Sequence, residues 1–168
     1  MRFIRWSRRS REASRVETIN FMITGVGGQG TILASDILAA VGMRAGYNVK
    51  KSDILGLAVR GGAVLLNQQE IHPASVSSGL ATYPDEEAVQ KALRAAVDKV
   101  YRVPGLTIAQ ELGSAKVLNV VLLGALSSLL SLEPEVWEDV LRERVPPRYA
   151  GLNLQAFHGG RSWMEERM

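Results

Sequence analysis

Cysteine is missing from all 168 residues. The chain therefore forms no disulfide and offers no thiolate to a structural zinc or an iron-sulfur cluster, so any cluster in its chemistry has to sit on a partner. The same absence points to a cytoplasmic setting. Histidine is scarce too: His72 and His158 stand far apart, in neither a metal-ligand spacing nor a nucleophile-base arrangement. Ser77 and Ser78 lie outside any nucleophile elbow. No catalytic set and no metal site is legible, which favours a binding or site-completing chain over a self-sufficient enzyme. Long hydrophobic runs are also lacking. The stretch from Val117 to Leu130, VLNVVLLGALSSLL, falls short of the roughly 20 residues a bilayer requires and carries an Asn and two Ser. It reads as a buried core helix, and no membrane partner is expected.

Acidic residues are few at the start. Met1 to Arg15 holds six Arg and one Glu, while the whole chain is only +3, so the remainder carries a slight negative excess. Residues 1–18 read as a basic, disordered extension, with a transit peptide or a nucleic-acid arm as its alternatives. No basic patch recurs in the body, and nucleic acid is therefore not expected as a partner. A length of 168 residues with 46% hydrophobic content suits one cored domain. Its bounds are read as 19–160, followed by a tail at 161–168.

Glycine, by contrast, is concentrated. Thr24 to Gly30 reads TGVGGQG, between a β-rich apolar run (Ile19–Thr24) and a helical pattern (Ile32–Ala45). Gly25, Gly27 and Gly30 have the G-x-G-x-x-G spacing, in the strand-to-helix context that gives it meaning. Such glycines let the backbone turn tightly and approach a ligand, and the N-H groups at a helix start favour an anion. They also serve plain strand-to-helix packing. A P-loop is excluded, since no Lys stands between Gly30 and Thr31. The next strand, Tyr47–Ser52, ends in Lys50 and Lys51 where a dinucleotide site wants a ribose-binding acid, with Asp53 just beyond. The two lysines suit either a phosphate or a solvated strand end. A second candidate is Arg60, whose planar fork on a Gly61-Gly62 corner suits a carboxylate or phosphate, although an exposed turn explains it equally. A stand-alone NAD- or nucleotide-phosphate-binding module is one reading of these features.

The first two strands and the helix between them predict a β-α-β unit. Ala63–Asn67 then looks like a third strand, but no crossover helix fits between it and Ser52. Either that strand runs antiparallel or the chain lacks a piece. Ile71–Pro84 reads as an extended surface loop, and a helix starts at Asp85 with acids in its first turn. VYRV (100–103) reads as a strand. Thr107 and Ser114 are placed to cap a short helix and an apolar helix over 116–130. Pro134 opens another helix, Pro146-Pro147 ends it, and a short final helix covers Tyr149–Gly160.

Taken together, the segments ITGVGGQGTILASDILA, LGLAVRGGAV, HPASVSSGLATYP, ELGSAKVLNVVLLGALSSLL and VPPRYAGLNLQAF resemble the gamma-type domain of 2-oxoacid:ferredoxin oxidoreductases. Within that superfamily the chain is most similar to the beta subunit of indolepyruvate:ferredoxin oxidoreductase, over about Ile19 to Gly160. The resemblance implies an α/β, Rossmann-like, mostly parallel sheet with helices on both faces. It implies a hetero-oligomer in which a large alpha subunit carries thiamine diphosphate and [4Fe-4S] clusters. The assembly would convert an arylpyruvate and coenzyme A to aryl-acetyl-CoA, carbon dioxide and reduced ferredoxin. By the same likeness, Gly25, Gly27, Gly28, Gln29 and Gly30 match the family's glycine loop, and Arg60, Gly61 and Gly62 match its second loop. Both would face the active-site or coenzyme A side. One departure accompanies the likeness: where the family has further strands and a helix, Val64 runs straight into Leu65. Central elements of the sheet are expected to be missing at that junction, the place where the crossover helix was already wanting.

Overall fold

The computed structural model describes residues 2–9, 16–25, 30–52, 62–69, 74–80, 82 and 85–168. Among these residues, two small sheets and seven α-helices make a mixed α/β fold around an apolar core. The α/β class expected from the sequence stands, but its strands are divided differently. In the first sheet, β1 (Arg2–Arg9) lies between β2 (Val16–Ile23) and β3 (Asn48–Ser52) and runs antiparallel to both. Consequently β2 and β3 are parallel to each other, joined by α1 (Thr31–Arg44) across an intervening strand. The predicted β-α-β unit is present, in split form.

The expectation of a disordered extension over residues 1–18 is corrected by β1 and by the start of β2. Arginines dominate the composition of this stretch, but its alternation decides its structure. Ile4 and Trp6 are fully buried, whereas Arg5 between them points to solvent. Trp6 packs on Phe21 with ring centroids 4.7 Å apart and on Tyr47 at 5.3 Å. It also lies so close to α1 that a Cβ on Gly42 would come within 2.4 Å of the indole. Alternation likewise limits the expectation of helices on both faces. Ile19 and Phe21 face α1, but Thr18, Asn20, Asn48 and Lys50 are exposed on the opposite face. A strand covered on both sides needs a nearly continuous apolar run, and these strands have only one apolar face.

The run Ala63–Asn67 neither returns antiparallel to β3 nor joins its sheet. As β4 it pairs in parallel with β5 (Lys99–Val103). The crossover that a parallel pair requires is formed by the segment holding α2 (Ala74–Ser77) and α3 (Glu86–Ala96). Part of the stretch read as an extended loop is thus the short helix α2. The Val64–Leu65 junction lies inside β4, where both residues are half-buried.

The C-terminal half is helical. Thr107 lies within α4 (Gly105–Glu111) rather than at its cap, whereas the Ser114 hydroxyl does accept from the Lys116 amide, at 3.4 Å. A 3-10 turn (Ala115–Val117) then leads into α5 (Leu118–Ser127), which is apolar on nearly all sides and accordingly central to the core. Helix α6 (Pro134–Arg144) begins at its proline as expected. The final helix is much longer than predicted, because Pro147 occupies its first turn and α7 runs to Glu165. Most of the segment read as a tail at 161–168 therefore belongs to that helix. Helices α5 and α7 touch backbone to backbone: a Cβ on Gly124 would stand 1.9 Å from the Phe157 carbonyl, and one on Gly160 1.9 Å from that of Val121.

Candidate functional site

Because β2 and β3 are parallel, their carboxyl ends lie at the same edge of the sheet, beside the amino end of β1: Arg2 is opposite Ile23, and Phe3 opposite Ser52. In open α/β sheets, the carboxyl ends of strands are where ligands bind. The glycine loop leaves β2 at that edge, and the segment leading to the Arg-Gly-Gly corner leaves β3 there. Of the candidate residues, Gly25 is exposed just after β2, Gly30 stands at the entry to α1, and Gly62 immediately precedes β4. Gly27, Gly28, Gln29, Arg60 and Gly61 lie outside the described residues.

Gly30 is the best-defined member of the site. Its φ of 73° is left-handed, a conformation that glycine adopts without the penalty a Cβ brings. Its carbonyl accepts the first helical hydrogen bond, from the Ala34 amide at 3.1 Å. Among the described residues no side chain caps α1, and no acid occupies its first turn. The amides of that first turn are left with the partial positive charge of a helix start. Next to Gly30 stands Asn119, on the first turn of α5: a Cβ on Gly30 would lie 3.1 Å from its Nδ2. The sequence reading missed Asn119. Its signal was a single carboxamide in an otherwise apolar helix.

The two lysines part company. Lys51 forms an ion pair with Asp36 on α1, so its ammonium is engaged within the fold. Lys50 is exposed on the other face of the sheet, directly opposite Arg5. His158 does not join the site. His158 is exposed on α7, with Nε2 3.2 Å from Glu138 Oε1, and His72 lies outside the described residues. Among the described residues there is no cluster of His, Cys, Asp or Glu able to hold a metal ion, and no helix is long and apolar enough to cross a membrane.

What this geometry outlines is one side of a candidate site. A glycine-mediated strand-to-helix corner, an uncapped helix start and a carboxamide meet at the carboxyl edge of a sheet. Ile32 and Leu33 stand beside them, exposed at 59% and 40%.

The fold has counterparts among solved structures. The keto/oxoacid ferredoxin oxidoreductase gamma subunit of Geobacter sulfurreducens has a similar fold, with a TM-score of 0.56 at 22% identity, over 84% of this chain and 95% of that one. The 2-oxoglutarate:ferredoxin oxidoreductase of Magnetococcus marinus, solved with 2-oxoglutarate, coenzyme A and succinyl-CoA bound, gives a TM-score of 0.55 at 21% identity. That match covers 84% of this chain and 30% of the larger one. Sequence carries the relationship further. Residues 20–69 and 61–163 match the pyruvate ferredoxin/flavodoxin oxidoreductase family, and the chain belongs to that family. Indolepyruvate oxidoreductase subunit IorB of Thermococcus kodakarensis is 30% identical over 188 residues, covering 84% of this chain and 93% of the relative.

The two matched pieces overlap on residues 61–69, the stretch that holds Val64–Leu65. The aligned span of 188 residues is also longer than the 168-residue chain itself, so the relative carries residues with no counterpart here.

Proposed function

We propose that this chain is the small subunit of a 2-oxoacid:ferredoxin oxidoreductase acting on an arylpyruvate, indolepyruvate foremost. The reaction is oxidative decarboxylation: the bond between the carboxylate and the oxo carbon breaks, carbon dioxide leaves, and the acyl group is captured by the thiol of coenzyme A. Two electrons pass to ferredoxin. This chain's own residues do not fit the iron-sulfur clusters of such an enzyme, since it has no cysteine. The clusters and thiamine diphosphate are assigned to the large subunit.

The observation that carries this reading is the half-built site at Gly30. An uncapped helix start and a polar amide suit an anionic substrate, while exposed Ile32 and Leu33 beside them suit cover by another subunit. Gly25, Gly27, Gly28, Gln29, Arg60, Gly61 and Gly62 are proposed to line the face turned toward the large subunit. A free-standing nucleotide site fits less well, because Lys51 is paired with Asp36 and Lys50 is on the opposite face.

The test is to co-express the chain with its large subunit and assay ferredoxin reduction with indolepyruvate, pyruvate and 2-oxoglutarate. The expected result is a brown complex that turns over indolepyruvate fastest. A colourless chain that stays alone and binds NAD would overturn the reading.

A further inference from the structure

β4 has a strand on one side only. Its sheet runs in the order β4-β5, and among the described residues no strand pairs with the other edge of β4. The Gln68 amide, just past the strand, donates to the Val103 carbonyl at 2.9 Å. Backbone groups alternate in direction along a strand, so those of Val64 and Leu66 also face β5, and those of Ala63, Leu65 and Asn67 face the open side. The Asn67 carbonyl accepts from the Gln69 amide at 2.8 Å, which leaves Ala63 and Leu65 with both backbone groups available to a neighbour.

The side chains match a covered strand better than an edge. AVLLN carries no charge and no proline, the residues by which exposed edges keep other strands away. Its apolar run is of the kind found in parallel strands buried on both faces. Val64, Leu65 and Leu66 are nevertheless only half-buried. Leu65 turns to the apolar core, while Val64 and Leu66 share the opposite face with Arg102, which is ion-paired to Glu86 of α3. The two family matches overlap on residues 61–69, so the open edge falls where the likeness to the family breaks.

We propose that a second copy of this chain occupies that edge, with Leu65 at a two-fold axis, joining the two-stranded sheets of both copies into one continuous sheet. An uncharged edge is complementary to itself, and a two-fold axis beside it makes the new pairing antiparallel. Leu65 then stands opposite Leu65 of the copy, and its open N-H and C=O groups form a hydrogen-bonded pair with theirs. Ala63 stands opposite Asn67. On the α3 face, Val64 meets Leu66 of the copy, and Leu66 meets Val64, so the half-buried side chains become two cross-strand apolar pairs. The proposal is independent of the glycine loop and of the substrate.

The full-length chain is examined by sedimentation over a range of concentrations, alone and co-expressed with the large subunit. The chain alone is expected to approach twice its 18.3 kDa. Since the chain has no cysteine, Leu65→Cys places one thiol in each copy. Opposed Cα atoms of a hydrogen-bonded pair are about 5.5 Å apart, within the reach of a disulfide, so mild oxidation should give a covalent dimer. Two Val64→Cys positions would lie offset by two residues, about 8 Å apart, and should cross-link poorly. Val64→Lys sets a charge against Leu66 of the copy and is expected to raise the dimer dissociation constant at least about tenfold, with the parent's circular dichroism retained. A parent chain that stays monomeric at every concentration overturns the proposal, as does equal cross-linking by the two cysteine variants. A chain monomeric alone whose assembly with the large subunit is lost in Val64→Lys overturns it too, and assigns the edge to a strand of that subunit. Should Val64→Lys fail to fold, the contrast between the cysteine variants still decides.

Discussion

Gly124 and Gly160 set the spacing of the two central helices, because each stands where the other helix's backbone passes. Replacing Gly124 with Ala would gain about 1 kcal/mol of helix propensity. The added methyl would stand 1.9 Å from a main-chain oxygen that cannot swing aside as a side-chain end would, so overpacking wins. We expect Gly124→Ala to lower stability by about 2 kcal/mol or more, read from urea unfolding, and Gly151→Ala to be stabilising or neutral, since nothing lies within 4 Å of its added methyl. At Tyr47, burial above all pushes the hydroxyl up from its ordinary value of 10.0. The folded state thus holds this proton longer than the unfolded chain does. Its stabilising contribution is complete below pH 10 and is lost as pH rises through the higher folded-state value. Spectroscopic titration of the tyrosines should show one late component, absent in Tyr47→Phe.

Among the elements, β1 is the one whose role departs furthest from its composition. Counting charges makes Met1–Arg15 an arm, whereas residue order gives Ile4 and Trp6 inward and Arg5 outward. The same text supports both readings until a neighbour is known, since a strand's burial depends on what flanks it. The helices α1, α5 and α6 were legible because spacing, proline and glycine signals are local. The pairing of β1 with β3 and of β4 with β5 was not, since it joins residues some 45 or 35 positions apart in the chain. The candidate site shows the same division: the glycine spacing is a local signal, but Asn119 comes to Gly30 only through tertiary packing. Trp6→Ala should cost about 3–5 kcal/mol, the range for emptying a large aromatic site, and removal of residues 1–15 should abolish cooperative thermal unfolding. If the truncated chain melts as the full one does, β1 is not integral to the sheet.

At the scale of the whole molecule, the chain covers nearly all of its indolepyruvate oxidoreductase relative while being shorter than the alignment itself. The overlap of the two family matches brackets Val64–Leu65, and β4 runs unbroken through it. If the relatives' additional segment belongs at that point, a chimaera carrying it between Val64 and Leu65 should fold and still assemble with the large subunit. Failure of the chimaera to assemble, with the parent chain assembling normally, would place the segment elsewhere. The order of strands also has a practical side. Because β1 runs against both of its neighbours, its first residue, Arg2, lies at the edge where β2 and β3 end. A purification tag joined ahead of Arg2 would therefore hang over the candidate site and, on the proposed function, compete with the large subunit for it, while one after Met168 would follow the carboxyl end of α7. Two preparations of the same protein, tagged at opposite ends, should differ in assembly for that reason alone.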